Sequence, residues 1–325
     1  MLKEALRLHM SEMPYPPPQR VVAAARQSLT KLNRYTDLED LQRLQERLAN
    51  YTGVPAGHVL LSPGSDILLR EIIHTFSPGR KVITVSPSFF PTVQAAKRFA
   101  PHRLSLRLRP PAFDLNLELL MTALDTPSLL IIDNPNNPTG RILLDERAVE
   151  ALLEHRETLL VIDEAYYEFS NMTFADRVTD FPHLAIIRTM DKAFSLAGAR
   201  VAYALVGQAF LDTLSAFPAY LPQPSLYAAL AALHNVSYMR DNVHQIVEER
   251  ERLRQALKAL GVDVYPSHAN FLLMRTGVPD AVRRLRDAGV LVADVSEQLP
   301  PGFIRVSIGN RTENDAFLII YKRLS

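Results

Sequence analysis

The feature of this sequence that most constrains its fold is a series of short apolar runs, each followed by a cluster of polar, turn-forming residues. The five clearest runs cover residues 59–61, 82–85, 129–132, 159–162 and 184–187. Patterns typical of amphipathic helices, such as 67–76 and 145–155, lie between most of them. Nearly continuous apolar strands that alternate with helices predict an α/β fold whose sheet is mostly parallel and covered on both faces.

The polar clusters that follow the five runs predict where a ligand binds. In an open parallel sheet, ligands lie beyond the carboxyl ends of the strands. The clusters are SPGSD (62–66), SPSFF (86–90), DNPNNPTG (133–140), DEAYY (163–167) and RTMDK (188–192). We therefore expect one site that is assembled from segments far apart in the sequence.

The rhythm of the sequence changes after Val206 and indicates a second, smaller α/β unit. A long amphipathic helix is predicted over 238–260 and ends at Gly261, as helices commonly do. Strand and helix patterns then follow at 262–264, 271–274, 280–288, 290–292 and 303–308. The proline-rich segment 11–18 is expected to be extended. The predicted organisation is an amino-terminal arm (1–28), a large domain (29–238) and a small domain (239–325).

Composition excludes several classes of function. The 325 residues carry 36 Lys and Arg against 35 Asp and Glu, and this balance argues against nucleic acid or an anionic membrane as the main partner. The absence of cysteine excludes disulfides and thiolate nucleophiles. No phosphate-binding glycine loop, G-x-S-x-G elbow or H-E-x-x-H pair occurs, so we expect no metal site. Without a signal-peptide pattern or a long apolar run, a cytoplasmic location is expected.

The segment RTMDKAFSLAGARVAY (188–203) places Lys192 just beyond a predicted buried strand, with Arg200 eight residues later. Taken alone, Lys192 is most simply a solvated surface lysine, because an amine becomes nucleophilic only when it is desolvated or close to other cations. The segment, however, resembles the Schiff-base motif of the fold-type-I pyridoxal-phosphate (PLP) aminotransferases of class I/II, especially the histidinol-phosphate aminotransferases. Further segments resemble the same family in the same order: NRYTD (33–37), GSD (64–66), NPNNPTG (134–140), DEAYYEF (163–169), ANFLL (269–273) and IRVSIGN (304–310).

The resemblance covers nearly the whole chain, from about residue 11 to the end, and implies both a fold and a function. The implied fold is a three-layer α/β/α large domain that binds PLP, with a smaller α/β carboxy-terminal domain. The implied function is amino transfer in amino-acid biosynthesis by a ping-pong mechanism. The donor of first choice is L-histidinol phosphate, and the acceptor is 2-oxoglutarate. The implied assembly is a homodimer with shared active sites. The alternatives are an aromatic amino acid aminotransferase, a PLP lyase or decarboxylase such as threonine-phosphate decarboxylase, or a non-catalytic PLP-binding protein.

The resemblance implies which residues hold the cofactor ring. Lys192 matches the lysine that binds PLP as a Schiff base and then moves the substrate proton. Asp163 matches the aspartate beside the pyridine nitrogen, which must stay protonated if the ring is to accept carbanion charge. Asn137 and Tyr166 match the two donors to the phenolic oxygen, and Phe89 matches the aromatic residue stacked on the ring. The plainer alternatives are a capping Asp, a turn Asn, a core Tyr and a core Phe.

Further matches concern the phosphate and the substrate. The matched phosphate ligands are Gly64, Ser65, Asp66, Thr189 and Arg200, together with Tyr35 from the neighbouring subunit. A helix N-terminus with nearby cations is a suitable phosphate site. The matched substrate-binding residues are Arg305, Asn270 and Tyr15. Arginine suits the role assigned to Arg305, because its planar guanidinium can bind a carboxylate through two parallel hydrogen bonds.

Two segments depart from the family pattern. Asp191 lies where the family usually has a phosphate-binding serine. A carboxylate about 4 Å from a phosphate charge costs about 4 kcal/mol at an effective dielectric constant of about 20. We therefore predict that Asp191 pairs with an arginine, Arg200 or Arg188. The arm sequence SEMPYPPP (11–18) replaces two asparagines and a glycine of the family's substrate segment but retains Tyr15.

Overall fold

The computed structural model describes residues 5–215 and 220–325, which form two β-sheets surrounded by helices. The strands are β1 (Leu6–Leu8), β2 (Val59–Ser62), β3 (Lys81–Ser86), β4 (Arg103–Arg107), β5 (Ser128–Asp133), β6 (Thr158–Asp163), β7 (Leu184–Thr189), β8 (Ala202–Val206), β9 (Asp263–Val264), β10 (Phe271–Arg275), β11 (Val290–Asp294) and β12 (Phe303–Ser307).

The helices precede, separate and follow these strands. They are α1 (Gln19–Ser28), α2 (Leu38–Thr52), α3 (Ser65–Phe76), α4 (Phe90–Phe99), α5 (Leu117–Ala123), α6 (Glu146–Leu153), α7 (Tyr167–Ser170), α8 (Gln208–Leu214), α9 (Gln223–Leu233), α10 (Val236–Ala259), α11 (Ala281–Asp287) and α12 (Arg311–Leu324). Short 3₁₀ turns cover Leu29–Lys31, Ala56–His58 and Ala175–Arg177. Among the described residues, no helix is both long and apolar enough to cross a membrane.

The larger sheet has the strand order β2-β8-β7-β6-β5-β3-β4. The pairs from β7 through β4 are parallel, whereas β8 is antiparallel to both β2 and β7. Six of the seven strands therefore point the same way, and their carboxyl ends meet at one edge. This arrangement confirms the predicted α/β class with a mostly parallel sheet.

Alternate residues of the central strands belong to two separate hydrophobic cores, one on each face of the sheet. Ile131 and Val161 pack with residues of α3 and α4, whereas Leu130 and Ile162 pack with residues of α2, α6, α9 and α10. Side chains of a strand alternate between the two faces, so a strand with helices on both faces must be apolar at every position. This explains why the five predicted runs have no polar alternation.

The smaller sheet has the order β1-β11-β12-β10-β9, and its first strand comes from the amino-terminal arm. Leu6–Leu8 pairs in parallel with β11, at the register Leu6 to Val290. The arm thus crosses from the small sheet to the edge of the large one. The proposed domain boundaries at residues 28 and 238 remain predictions.

Several helix boundaries follow from capping residues that the sequence displays. The long helix α12 begins with a capping box, in which the Asn310 side chain accepts from the Glu313 backbone at 3.0 Å and Glu313 accepts from the Asn310 backbone at 2.8 Å. The helix α2 ends at Gly53, whose φ of 78° lies in the left-handed region. These local signals place the elements within a few residues of their predicted bounds.

Candidate active site

A cavity of about 760 Å³ lies at the edge where the parallel strands end, between the two sheets. One wall comes from the segments after β3, β5, β6 and β7 and from the start of α3. The opposite wall comes from β12, from the segment after β11 and from the arm. Nine of the predicted site residues line the cavity: Ser65, Asp66, Phe89, Asn137, Asp163, Tyr166, Lys192, Arg200 and, from the small sheet, Arg305.

Lys192 is half-buried in this cavity, three residues beyond the end of β7. Its Nζ donates a hydrogen bond to the carbonyl oxygen of Met10 at 3.1 Å. Burial lowers the pKa of Lys192 to about 8, and the nearby cations Arg305 and Arg200 act in the same direction. An amine in this state is readily deprotonated near neutral pH, as a nucleophile or a general base requires.

Asp163 lies at the end of β6, directly beside Asp133 at the end of β5. Both side chains are buried, with 4% of each residue exposed. Burial, together with the charge of Asp133, raises the pKa of Asp163 to about 7. The positive charge of Lys192 lowers the pKa of Asp163, but by less than burial raises it. A carboxylate this poorly compensated is suited to a cationic ligand atom, such as a protonated ring nitrogen.

Asp133 is a residue whose role the sequence reasoning missed. Its carboxylate accepts hydrogen bonds from the Ser88 hydroxyl at 2.9 Å, from the Phe89 backbone at 3.2 Å and from the Asn137 backbone at 2.7 Å. It also accepts from the Asn136 amide at 3.0 Å. Asp133 thereby fixes two predicted cofactor residues, Phe89 and Asn137, relative to each other. Its position at a strand end, immediately before NPNNPTG, was the available signal.

Asn137, Tyr166 and Arg305 form a connected polar group on the floor of the cavity. The Asn137 amide donates to the Tyr166 hydroxyl at 3.3 Å, and Arg305 donates to the Asn137 side-chain oxygen at 2.6 Å. Arg305 also donates to the carbonyl of His9 at 2.6 Å, and it lies over the ring of Phe271 at 5.0 Å. Its Nε is buried without a hydrogen-bond partner among the described residues. Arg305 thus retains donor capacity for an anionic ligand.

A second group of predicted residues surrounds the N-terminus of α3. Gly64 precedes that helix with a φ of 125°, and any side chain at this position would collide with the Arg200 guanidinium. Arg200 forms ion pairs with both Asp66 and Asp191. The predicted pairing of Asp191 with an arginine is confirmed for Arg200. Arg188 instead forms a buried pair with Glu164, at 2.9 Å.

Thr189 contributes to the same end of the site from just outside the cavity wall. Its hydroxyl donates to the Val201 carbonyl at 3.2 Å and accepts from the Asp191 backbone at 3.0 Å. It therefore fixes the turn that carries Asp191 and Lys192. A contact between Thr189 and a phosphate remains a prediction.

Besides Gly64 and Thr189, three further predicted residues do not line the cavity. Tyr35 is 87% exposed, with its ring 5.9 Å from that of Tyr220. Asn270 is fully buried and donates to the Ser11 carbonyl at 2.9 Å, so it holds the arm in place. Tyr15 is half-buried beside a neighbouring cavity of about 380 Å³ that Asp191 also lines. Their predicted ligand contacts remain predictions.

The arm reaches the cavity through residues that the sequence reasoning did not select. His9 and Met10 line it, and their carbonyl oxygens accept from Arg305 and Lys192, respectively. The apolar alternation of the β1 strand that precedes them was a weak signal. Which of the arm residues would reach the lysine depends on long-range pairing with β11, which local sequence does not reveal.

The fold and the site define a class of protein. The family model for aminotransferase class I and II matches residues 3–318, and the chain belongs to that family. Enzymes of this family use PLP, so the chain is a PLP-dependent aminotransferase of fold type I. These findings confirm the predicted family, fold, cofactor and enzyme class.

Individual relatives show which members of this family the chain resembles. The chain is 33% identical over 324 residues to the histidinol-phosphate aminotransferase of Sulfurisphaera tokodaii, with 98% of this chain and 89% of that protein covered. It is 34% identical to the enzyme of the same name from Thermococcus gammatolerans, with 96% and 90% covered. A solved structure of histidinol-phosphate aminotransferase from Sinorhizobium meliloti, in complex with pyridoxal-5'-phosphate, is similar with a TM-score of 0.87 and 26% identity, covering 99% and 92% of the two chains.

The described residues fit the cofactor. Asp163 is a buried acid with little positive charge near it, Lys192 is an amine with a lowered pKa, and Gly64 leaves room beside the arginine at a helix start. These features correspond to a ring nitrogen, an aldehyde and a phosphate, respectively, which are the three reactive or charged parts of PLP.

Proposed function

We propose that the enzyme transfers the amino group of L-histidinol phosphate to 2-oxoglutarate by a ping-pong mechanism. The names and nearly full coverage of the most similar relatives support this substrate. The observation that carries most weight is Arg305, which faces Lys192 across the cavity with a free donor. A guanidinium can bind a phosphate or a carboxylate through paired hydrogen bonds, so one residue can serve both the phosphate of the donor and a carboxylate of the acceptor.

The described residues can divide the chemistry among them. PLP supplies the electron sink when it is bound. Lys192 holds it covalently and, once released, carries the proton between the substrate Cα and the cofactor; a pKa of about 8 suits that task. Asp163 keeps the ring nitrogen protonated, while Asn137 and Tyr166 bind the phenolic oxygen. Phe89 packs against the ring, and Ser65, Thr189 and Arg200 bind the phosphate.

A second candidate is a PLP lyase or decarboxylase on the same fold. The structure of L-threonine-O-3-phosphate decarboxylase from Porphyromonas gingivalis has a TM-score of 0.86 at 19% identity, which shows the shared fold alone. Lys192, Asp163 and Arg200 would serve either reaction. An aromatic amino acid aminotransferase is the third candidate, because the cavity wall includes apolar residues such as Phe90 and Val295.

Product analysis separates the three candidates. The holoenzyme is incubated with histidinol phosphate, with and without 2-oxoglutarate, and glutamate and released CO₂ are measured. The proposal predicts stoichiometric glutamate that requires the keto acid. CO₂ from threonine phosphate without a keto acid would favour the decarboxylase, and faster glutamate formation from phenylalanine or tyrosine would favour the aromatic aminotransferase.

We further propose that the enzyme is a homodimer whose active sites are shared. Tyr35 is 87% exposed and has exposed apolar neighbours in sequence, Leu32 and Leu38, at 65% and 63%. Tyr220 is also half-exposed beside it. An apolar surface of this kind is typical of an interface. Light scattering should give about twice the 36.5 kDa of one chain, and Leu38→Asp should shift the mass towards one chain.

The role of Tyr35 can be tested separately from the dimer itself. Tyr35→Phe retains the ring and loses the hydroxyl, so the dimer should persist while the affinity for PLP falls. An unchanged PLP affinity in a dimeric Tyr35→Phe variant would contradict a phosphate contact from this residue.

A further inference from the structure

The carboxylate of Asp191 has an unusual place in the site. It lies two residues beyond the end of β7, with only 4% of the residue exposed. One of its oxygens, Oδ2, pairs with Arg200, whereas the other, Oδ1, is buried without a hydrogen-bond partner among the described residues. Buried carboxylate oxygens are rarely left unpaired, so this atom calls for a hydrogen-bond partner that the described residues do not supply.

The charges around Asp191 disfavour an anionic ligand beside its deprotonated carboxylate. Arg200 is shared between Asp191 and Asp66, so these three side chains together carry one net negative charge. Lys192 adds a positive charge. The neighbouring cavity adds the side chains of Arg7, Glu12, Tyr15 and Glu313 on its other walls. Burial raises the pKa of Asp191, whereas Arg200 and Lys192 act in the opposite direction.

A phosphate placed among Ser65, Thr189 and Arg200 would draw the guanidinium towards itself. Asp191 would then lose part of the charge that compensates it, while a second anion lies close by. Two oxyanions in contact are strongly favoured to share a proton, because the O–H···O⁻ hydrogen bond replaces repulsion with attraction. The unpaired Oδ1 is the atom on which that proton would lie.

We propose that Asp191 takes up one proton from solvent when the cofactor phosphate binds, and donates it from Oδ1 to a phosphate oxygen. The balance is one free carboxylate, one phosphate dianion and one proton giving one carboxylic acid hydrogen-bonded to the dianion. Asp191 thus makes the affinity for the cofactor depend on pH, whereas a serine at this position would not. This inference rests on the proposed placement of the phosphate.

Calorimetric titration of the apoenzyme with pyridoxamine 5'-phosphate tests the inference, since this ligand carries the phosphate but cannot condense with Lys192. Titrations between pH 7 and 9, in buffers of different ionisation enthalpy, give both the dissociation constant and the number of protons taken up. The variants are Asp191→Asn, which keeps the shape, and Asp191→Ser, which replaces it with a smaller hydroxyl. Asp66→Asn is the matched control, because Asp66 pairs with the same guanidinium but its side chain is 39% exposed.

The wild-type protein should take up nearly one more proton per ligand than either Asp191 variant. Its affinity should fall with pH more steeply than theirs, by up to about tenfold per pH unit. Asp66→Asn should change the affinity and keep the wild-type proton uptake. Pyridoxamine, which lacks the phosphate, should show no difference in proton uptake between wild type and Asp191→Asn.

Equal proton uptake by the wild type and both Asp191 variants would overturn the inference. A parallel experiment distinguishes this failure from failure of the proposed site. If borohydride traps PLP on Lys192 and the proton counts are still equal, only the role of Asp191 is wrong. If no adduct forms on Lys192, the proposed cofactor placement is wrong and the inference falls with it.

Discussion

The buried ion pair between Glu164 and Arg188 should be essential to stability, and Glu164→Gln is the change that tests it. Glu164 follows Asp163 at the end of β6, and Arg188 precedes Thr189 at the end of β7. Only 1% and 2% of the two side chains are exposed. The Arg188 Nε and Nη2 donate to one carboxylate oxygen at 3.0 and 2.9 Å, and the guanidinium lies 3.7 Å from the centre of the Tyr167 ring.

The geometry sets the size of the expected effect. At 2.9 Å and an effective dielectric constant of about 20, the two charges attract by about 6 kcal/mol. The glutamine has one oxygen, which can accept from the Phe174 backbone in the place of Oε1 or from Thr173 in the place of Oε2, but not from both. It also removes the charge and leaves Arg188 buried without its partner. Breaking one side of a buried pair typically costs about 3–5 kcal/mol. We expect the free energy of unfolding of Glu164→Gln to fall by about 4 kcal/mol.

Urea unfolding of the apoenzyme, at one fixed protein concentration, measures this loss from the shift in midpoint. The matched control is Glu146→Gln, which breaks the pair with Arg177 at 3.3 Å, where the side chains are 61% and 35% exposed. An exposed pair contributes less than about 1 kcal/mol, so the control should unfold nearly as the wild type does. If Glu164→Gln also lies within about 1 kcal/mol of the wild type, the assignment of this pair as a structural tie between β6 and β7 is wrong.

Three further predictions concern the site itself. Arg305→Gln should raise the KM for 2-oxoglutarate by about 10- to 100-fold, because it loses a charge-assisted contact of about 1.5–3 kcal/mol; an unchanged KM in initial-rate kinetics would contradict this. Burial lowers the pKa of Lys192 to about 8. The rate of covalent PLP addition should therefore rise with pH as the neutral amine forms and level off above pH 8. A stopped-flow rate that is flat from pH 6 to 9 would refute this prediction. Asp133→Asn should weaken PLP binding about 10-fold or more in a fluorescence titration, because its one amide oxygen can accept either from the Phe89 and Asn137 backbones or from the Asn136 amide, but not from all three; an affinity equal to that of the wild type would show that this network does not position the cofactor residues.

Much of the fold could be predicted because the relevant signals are local. The run at 159–162 is apolar at every position since both faces of β6 are covered, and its length leaves no room for a helix. The break at Gly261 and the cap at Asn310 mark helix ends by backbone chemistry alone. The strand β4 (Arg103–Arg107) was missed, because it is an edge strand whose exposed face is basic rather than apolar.

The site residues could be predicted only where the family resemblance or the end of a predicted strand marked them. Asp163 is the last residue of β6, and Asn137 and Lys192 follow the ends of the neighbouring parallel strands β5 and β7, so the topology brings the three together. The contacts of His9 and Met10 depend instead on the pairing of β1 with β11, across more than 280 residues of chain. The Asp133 network likewise depends on the packing of two loops, and neither feature has a periodic signal in the sequence.

The central claim is that PLP is attached to Lys192 and that an amino donor releases it. Borohydride reduction of the holoenzyme, followed by peptide mass spectrometry, measures this directly. We predict a pyridoxyl adduct on Lys192 in the resting enzyme, and its loss when histidinol phosphate is added before the reductant. An adduct on a different lysine, or none while PLP remains bound, would contradict the account.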